Sequence, residues 1–272
     1  MTSTRRLVTV VQARMGSTRL SGKVLKPLAG STVLGRMLER VLSARLVGTV
    51  AVATTTEPED DAVVSACTEI GVLCLRGHPT DLLDRHLRVA ETFQAEAVAK
   101  IPSDCPLIDP AVIDRVLETY LTTGARYDYV SNLHPATYPD GNDVEVMSVR
   151  ALRTAWHEAR RPFEREHTTP YLWENPDKFR IGNVEWETGF DLSMSHRLTL
   201  DYGEDYDLVA RVFDALYSGN PTFGVQEIVD FLIANPDVYA LNARYRGVNW
   251  YWRHLDELKA VSPRETRQPG VV

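Results

Sequence analysis

Short β-branched runs that alternate with amphipathic helical segments predict an α/β fold with a mostly parallel sheet, covered on both faces. Three observations carry that prediction: the runs themselves, the 3.6-residue spacing of apolar residues between them, and the shortness of the connections. Residues 7–11, Leu-Val-Thr-Val-Val, read as a buried first strand. Val33, Leu34, Met37, Leu38, Val41 and Leu42 then recur at helical spacing, so residues 32–44 read as an amphipathic helix. Residues 49–54 are the second strand. Pro58 and the acidic residues Glu59, Asp60 and Asp61 open a helix that Gly71 ends. Residues 72–75 are a third strand, 81–94 a helix and 97–101 a fourth strand.

After residue 101 the rhythm loosens. Helices are expected at 110–121, 149–160, 165–173, 204–217 and 225–234, and strands at 127–131, 144–147, 179–186 and 197–201. Residues 1–260 are expected to form one domain, with 261–272 as a flexible tail.

Composition narrows the function classes. With 44% hydrophobic residues the chain can build a sizeable core, and its net charge of −7 argues against broad binding to nucleic acid or anionic membrane. A small basic pocket is still compatible with that charge. Cys67, Cys74 and Cys105 are odd in number and widely spaced, which suggests neither a disulfide framework nor a zinc site. The apolar run behind Arg5-Arg6 is too short for a signal peptide, and no run approaches a membrane span, so a cytoplasmic protein is expected.

Several segments could carry chemistry. Between the first strand and the first helix, Arg14, Arg19 and Lys23 supply three cations, Gly16 and Gly22 allow close backbone approach, and Ser17 and Thr18 add hydroxyls. This is a phosphate-binding loop or a solvated basic connection, and it is neither a Walker loop nor a dinucleotide fingerprint. Asp104 sits after the fourth strand between Pro102 and Pro106, placed either to hold Mg²⁺ against a phosphate or to cap a helix. Asp109 before Pro110 reads as a helix N-cap. Asp201 closes the apolar run 198–200 and offers the same choice as Asp104. Asp143 and Glu145 would share one face of a strand, facing either solvent or a polar pocket. Arg165 and His167 belong to an unusually polar run that also fits a solvated helix start.

Taken together these pieces resemble a known family. The run Gln12-Ala13-Arg14-Met15-Gly16-Ser17-Thr18-Arg19-Leu20-Ser21-Gly22-Lys23 is similar to the QARMGSTRLPGK signature of the spore-coat polysaccharide (SpsF-type) cytidylyltransferases. These are relatives of the CMP-sialate and CMP-3-deoxy-manno-octulosonate synthetases. Further likenesses follow in order at Val52-Ala53-Thr54-Thr55, Arg76-Gly77, Leu83-Asp84-Arg85, the 104–109 run, Tyr138-Pro139-Asp140-Gly141, the 164–170 run and Leu200-Asp201. They cover about residues 7 to 217.

The resemblance implies a three-layer α/β/α fold of the nucleotide-diphospho-sugar transferase (GT-A-like) type, with a small dimerisation arm. It implies CTP as donor, Mg²⁺ as cofactor, pyrophosphate as leaving group, a small-molecule acceptor and a homodimer. Arg14, Ser17, Arg19 and Lys23 would bind the triphosphate, with Arg14 and Lys23 also catalytic. Asp104 and Asp201 would be the catalytic metal ligands, and Arg76 would approach the cytosine. Asp143, Glu145, Arg165 and His167 would fall on the acceptor side, and their carboxylates suit hydroxyls or an amine. The acceptor so implied is a sugar acid, with a phosphonate or sugar phosphate as alternatives.

The sequence departs from the family at Ser21, where proline is usual, at Pro102-Ser103 in place of Thr-Gly, and at Tyr202-Gly203 in place of Thr-Pro. Two other classes are compatible with the residues: a glycosyltransferase of the same fold and a non-catalytic nucleotide-binding protein. The first would carry a paired-aspartate metal motif, and Ser103-Asp104-Cys105 lacks the second aspartate.

Overall fold

A computed structural model describes residues 6–123, 126–254 and 256–259. Strand β1 (Leu7–Gln12) leads into a small hairpin, β2 (Pro27–Leu28) and β3 (Ser31–Thr32), and then helix α1 (Val33–Ser43). β4 (Thr49–Thr55), α2 (Asp61–Ile70), β5 (Leu73–Gly77), α3 (Leu82–Thr92), β6 (Ala97–Pro102) and α4 (Pro110–Thr122) follow. The second half contains β7 (Tyr129–Ser131), β8 (Glu145–Ser148), α5 (Val149–Glu158), α6 (Pro162–His167), α7 (Pro170–Trp173) and β9 (Ile181–Asn183). It ends with α8 (Gly203–Leu216), α9 (Val225–Ala234) and α10 (Pro236–Ala240). No helix among the described residues is long and apolar enough to cross a membrane.

The main sheet has the order β5-β4-β1-β6-β8-β7-β9. Every pairing is parallel except those of β8, which runs against both β6 and β7. The predicted α/β class with a mostly parallel sheet is therefore correct. Period-two alternation places helices on both faces. Leu7 and Val11 of β1 pack with Leu34, Met37 and Leu38 of α1, whereas Val8 and Val10 pack with Leu83 and Leu87 of α3. A third apolar cluster joins Leu198 and Leu200 to Leu208, Val212 and Phe213 of α8 and to Ile228 of α9. β1, β4 and β6 end side by side, so the loops that follow β1 and β6 are neighbours.

Three expected elements differ. The helix expected at 165–173 is two short helices parted at Thr168, whose φ of 73° is rare for a β-branched residue. Pro170 explains the break, because it has no N–H to continue the ladder and disfavours helical backbone at Thr169. The strand expected at 179–186 shrinks to Ile181–Asn183, which pairs with β7. Residues 197–201 form no strand; they run extended beside the 139–141 turn, joined by a parallel bridge between Asp140 and Arg197. Gly141 permits that approach: its φ is 107°, and a Cβ there would lie 2.6 Å from the Leu198–Thr199 peptide. The tail expected at 261–272 lies outside the described residues.

Asp128 locks the far edge of the sheet. Its carboxylate accepts from the Arg180 backbone N–H (3.1 Å), from Arg180 Nε (2.9 Å) and from Arg150 Nη2 (2.5 Å). The side-chain hydrogen bond from Arg180 is the main reason its pKa falls from 3.8 to about 2. A depressed carboxylate stabilises the fold above its unfolded pKa and loses that effect as pH falls through the folded value. With both arginines largely exposed to solvent, Asp128→Asn should cost about 1 kcal/mol at pH 7, and the deficit should shrink between about pH 4 and 2. Urea melts of both proteins across that range check this.

Candidate active site

The loop after β1 is held by an anchor outside its own motif. Buried Asp60 accepts from the Met15 N–H (2.6 Å) through one oxygen and from the Thr55 N–H (3.2 Å) through the other, tying the loop to the end of β4. The sequence had suggested only a helix first turn there. Gly22, in the left-handed region at φ 63°, turns the chain so that Lys23 points inward.

Lys23 Nζ donates to Asp201 Oδ1 (2.9 Å) and to the Leu200 carbonyl (2.7 Å), and lies 3.4 Å from Asp104 Oδ2. Asp104 and Asp201, 97 residues apart in sequence, thus reach one positive charge. Their backbones are also joined, with Leu200 N–H donating to the Asp104 carbonyl at 2.7 Å. Burial alone would lower the Lys23 pKa, but Asp104 and Asp201 outweigh it and raise it. Burial likewise opposes ionisation of Asp201, yet Lys23, Arg19 and Arg197 pull its pKa down to about 2. Both groups are charged at neutral pH.

Arg197 was not singled out by the sequence reading. Only 2% exposed, its guanidinium forks onto Asp205 (2.9 and 3.1 Å), reaches Asp201 Oδ2 at 3.2 Å and Asp140 Oδ2 at 3.4 Å. Arg19 Nη2 donates to Asp201 Oδ1 at 2.7 Å. Asp201 is therefore oriented by three cations. An arginine opening an apolar run that ends in aspartate was the one visible signal.

Two cavities meet at this cluster. The first, about 320 Å³, is lined by Arg14, Ser17, Arg19, Lys23, Arg85 and Asp104, among others. The second, about 190 Å³, is lined by Lys100, Asp140, Asp143, Glu145 and Asp201, among others. Gln12, Arg19, Asp104, His167 and Trp250 border both. Arg14 and Thr18 have no hydrogen-bond or ion-pair partner among the described residues, so their donors are open to the first cavity.

The remaining expected site residues divide. Asp143 lines the second cavity. Glu145 does too, but it is buried, paired with Lys100 Nζ at 2.5 Å and accepting from Tyr129 Oη at 2.6 Å, so Lys100 offsets its charge. His167 borders both cavities, stacked on Trp250 at 4.0 Å. Burial, and then Lys100, lowers its pKa to about 3, so its ring is neutral. Arg165 lines neither cavity: Asp81 (2.6 Å) and the Trp156 carbonyl (3.0 Å) hold it. Arg76 is turned away onto the Thr55 and Glu57 carbonyls and the Asp61 carboxylate. Buried Arg85 lines the first cavity instead, near Arg14 and without a carboxylate within salt-bridge distance among the described residues, and burial lowers its pKa to about 10.

Asp104 and Asp201 are hard oxygen donors that converge on one cation. Such a pair fits Mg²⁺, which takes one or two protein carboxylates and completes its shell with phosphate and water. Among the described residues, no three or more His, Cys, Asp or Glu side chains gather into a cage.

Cations on the loop after β1, two converging carboxylates and an adjoining second cavity on a mostly parallel sheet fit a nucleotide-dependent transferase. The family model described as Cytidylyltransferase matches residues 8–223, and the chain belongs to that family. It is accordingly a CTP-dependent nucleotidyltransferase. The spore coat polysaccharide biosynthesis protein SpsF of Bacillus subtilis is 29% identical over 233 residues, covering 84% of this chain and 94% of that protein. The structure of a cytidylyltransferase from Leptospira borgpetersenii superposes with a TM-score of 0.81 at 33% identity, over 86% of this chain and 97% of that one. CMP:2-keto-3-deoxy-manno-octonic acid synthetase, solved with CTP, shares the fold at a TM-score of 0.59 and 18% identity, over 77% of this chain and 98% of that one.

The placement of the two arginines separates their roles. Arg85→Ala should raise the KM for CTP about tenfold or more, and Arg76→Ala less than about threefold, in steady-state kinetics.

Proposed function

We propose that the enzyme transfers CMP from CTP to a sugar acid or a related acceptor, releasing pyrophosphate in a Mg²⁺-dependent reaction. The observation that carries this reading is the convergence of Asp104 and Asp201 on one charge where the two cavities meet. On this reading the protein acts as a homodimer, as the family resemblance implies, and in the cytoplasm, as its unpaired cysteines suggest.

The nucleotide takes the first cavity and the acceptor the second. An acceptor oxygen attacks the α-phosphorus in line; the bond to the bridging oxygen of pyrophosphate breaks and that oxygen takes the electron pair. Arg14 and Arg19, with Ser17, grip the β- and γ-phosphates and neutralise the charge that builds on the leaving group. Lys23, whose donors here go to Asp104, Asp201 and the Leu200 carbonyl, would join them on giving up the two aspartates to the metal. Asp104 and Asp201 would hold Mg²⁺, which when bound supplies charge neutralisation at the α-phosphate. Arg197 keeps Asp201 in position. His167, neutral and at the junction, can orient a hydroxyl through a hydrogen bond, but a pKa near 3 makes it a weak base, and no general base is assigned. Asp143 and the Lys100–Glu145 pair suit acceptor hydroxyls or an amine.

Pyrophosphate release measured with CTP, ATP, GTP or UTP and a panel of sugar acids, sugar phosphates and phosphonates tests the proposal. Release should require CTP, Mg²⁺ and an acceptor together; no release under any combination overturns it. Asp104→Asn and Asp201→Asn should each reduce turnover by about a thousandfold or more. Near-UV circular dichroism should stay unchanged for Asp104→Asn, at a partly exposed position, whereas Asp201→Asn, which strands Lys23 and Arg197, should also lower the thermal transition and is assayed below it. A fully active double variant would sink the metal assignment.

A further inference from the structure

The family match ends at residue 223, yet the chain returns to the site beyond it. Val248, Asn249 and Trp250 border both cavities, and Tyr251 borders the second. The segment is fastened along its length. Asn242 Nδ2 donates to the Arg197 carbonyl and to Asp205 Oδ1, both at 2.9 Å, and Arg197 Nη1 donates to the Val248 carbonyl at 2.9 Å. The rings of Tyr202 and Tyr245 stack at 3.8 Å and 3°. Further on, Arg161 Nη1 donates to the Glu257 carbonyl at 2.6 Å. Arg197, which also orients Asp201, thus helps to seat this segment.

Beside Val248 and Asn249, the segment presents two aromatic rings to the second cavity. Trp250 lies on His167 (4.0 Å, 14°) and against Tyr251 (4.3 Å). Tyr251 meets Trp173 edge-on at 6.1 Å, and Trp173 lies 4.5 Å from His134. Trp250, Tyr251, Trp173 and His134 make a continuous wall of rings in a cavity whose other lining includes Asp143, the Lys100–Glu145 pair and the Arg197–Asp140 pair. Such a division suits a ligand that is apolar on one face and polar at its edge. A ring-shaped acceptor with a C–H face buries area on the aromatic wall and turns its polar edge to Asp143 and the two ion pairs. A small acyclic acceptor covers little of that wall and gains little from it.

We propose that Trp250, with Tyr251, determines acceptor specificity by receiving the C–H face of a ring-shaped acceptor. The inference rests on the CMP transfer proposed above, but adds residues that lie outside the region matched by the family. Trp250 has only two side-chain torsions and one is constrained by stacking on His167, so it presents a preformed surface at low entropic cost.

The test is Mg²⁺-dependent pyrophosphate release by the full chain, with CTP and acceptor varied separately. The probes are 3-deoxy-manno-octulosonate and N-acetylneuraminate as ring-forming acids, with 2-aminoethylphosphonate as the acyclic comparison. Trp250→Ala should raise the acceptor KM about tenfold or more and the CTP KM less than about threefold, while Trp250→Phe recovers most of the loss. If Trp250→Ala loses its thermal transition, Trp250→Leu, which keeps bulk without a ring, takes its place. Equal rises in both KM values, no change in either, or a wild-type preference for 2-aminoethylphosphonate would overturn the inference. So would failure to turn over either ring-forming acid. If calorimetry then shows that wild-type enzyme still binds CTP, only the inference falls; if CTP does not bind, the proposed transfer falls with it.

Discussion

The buried charge cluster around Asp201 is the constraint on which the rest of the site depends. Lys23 and Arg19 approach one oxygen of this carboxylate and Arg197 the other, while Arg197 is itself held by Asp140 and Asp205. Burying one such charge alone would be costly, and removing one partner from the cluster strands the others without solvent. The cluster therefore works as a unit. It joins the phosphate loop, the end of β6, the 139–141 turn, the N-terminus of α8 and the 242–248 segment. Its value lies less in net stability than in the single arrangement it allows.

The sheet makes that arrangement reachable. Parallel pairing of β1 with β4 and β6 brings their carboxyl ends to one edge, so the loop cations and Asp104 arrive together. Asp201 has no strand of its own. It arrives because the 197–200 run is hydrogen-bonded on one side to the 139–141 turn and on the other to Asp104, with Leu198 and Leu200 buried against α8. Two neighbouring cavities result, one facing the loop cations and the other facing β8 and the aromatic rings. That division matches the chemistry of a transferase, in which a donor and an acceptor must meet at a single phosphorus.

The two sides of the site were legible to different degrees. The phosphate loop could be read directly, because its cations, glycines and hydroxyls lie within twelve consecutive residues and need only a strand before them. Asp104 and Asp201 could each be read as strand-end aspartates, but not as a pair. Arg76 and Arg85 could not be told apart: nine residues separate them, and only the path from β5 into α3 turns one guanidinium away and buries the other beside the loop. Glu145 read as a free carboxylate because its partner, Lys100, lies 45 residues earlier and becomes its neighbour only through the antiparallel β6–β8 register. The break at Thr168 was written in Pro170, whereas the anchoring of the loop by Asp60 was not written in any local pattern.

By itself, then, the sequence determined what is local: the period of each main element, the cap at Asp109, the loop chemistry and, through a long run of ordered motifs, the family. Asp109 shows the limit even there, since one of its oxygens caps α4 at Ala111 while the other accepts from Val225 N–H at 2.7 Å, a contact 116 residues away. The tertiary structure decided which charges meet and which cancel, where the second cavity lies, and that residues 248–251 help to wall it. The reason is physical. Periodicity and turn chemistry act over a few residues, whereas the pKa of Asp201, the neutrality of His167 and the pairing of Glu145 depend on groups that only folding brings within a few ångströms.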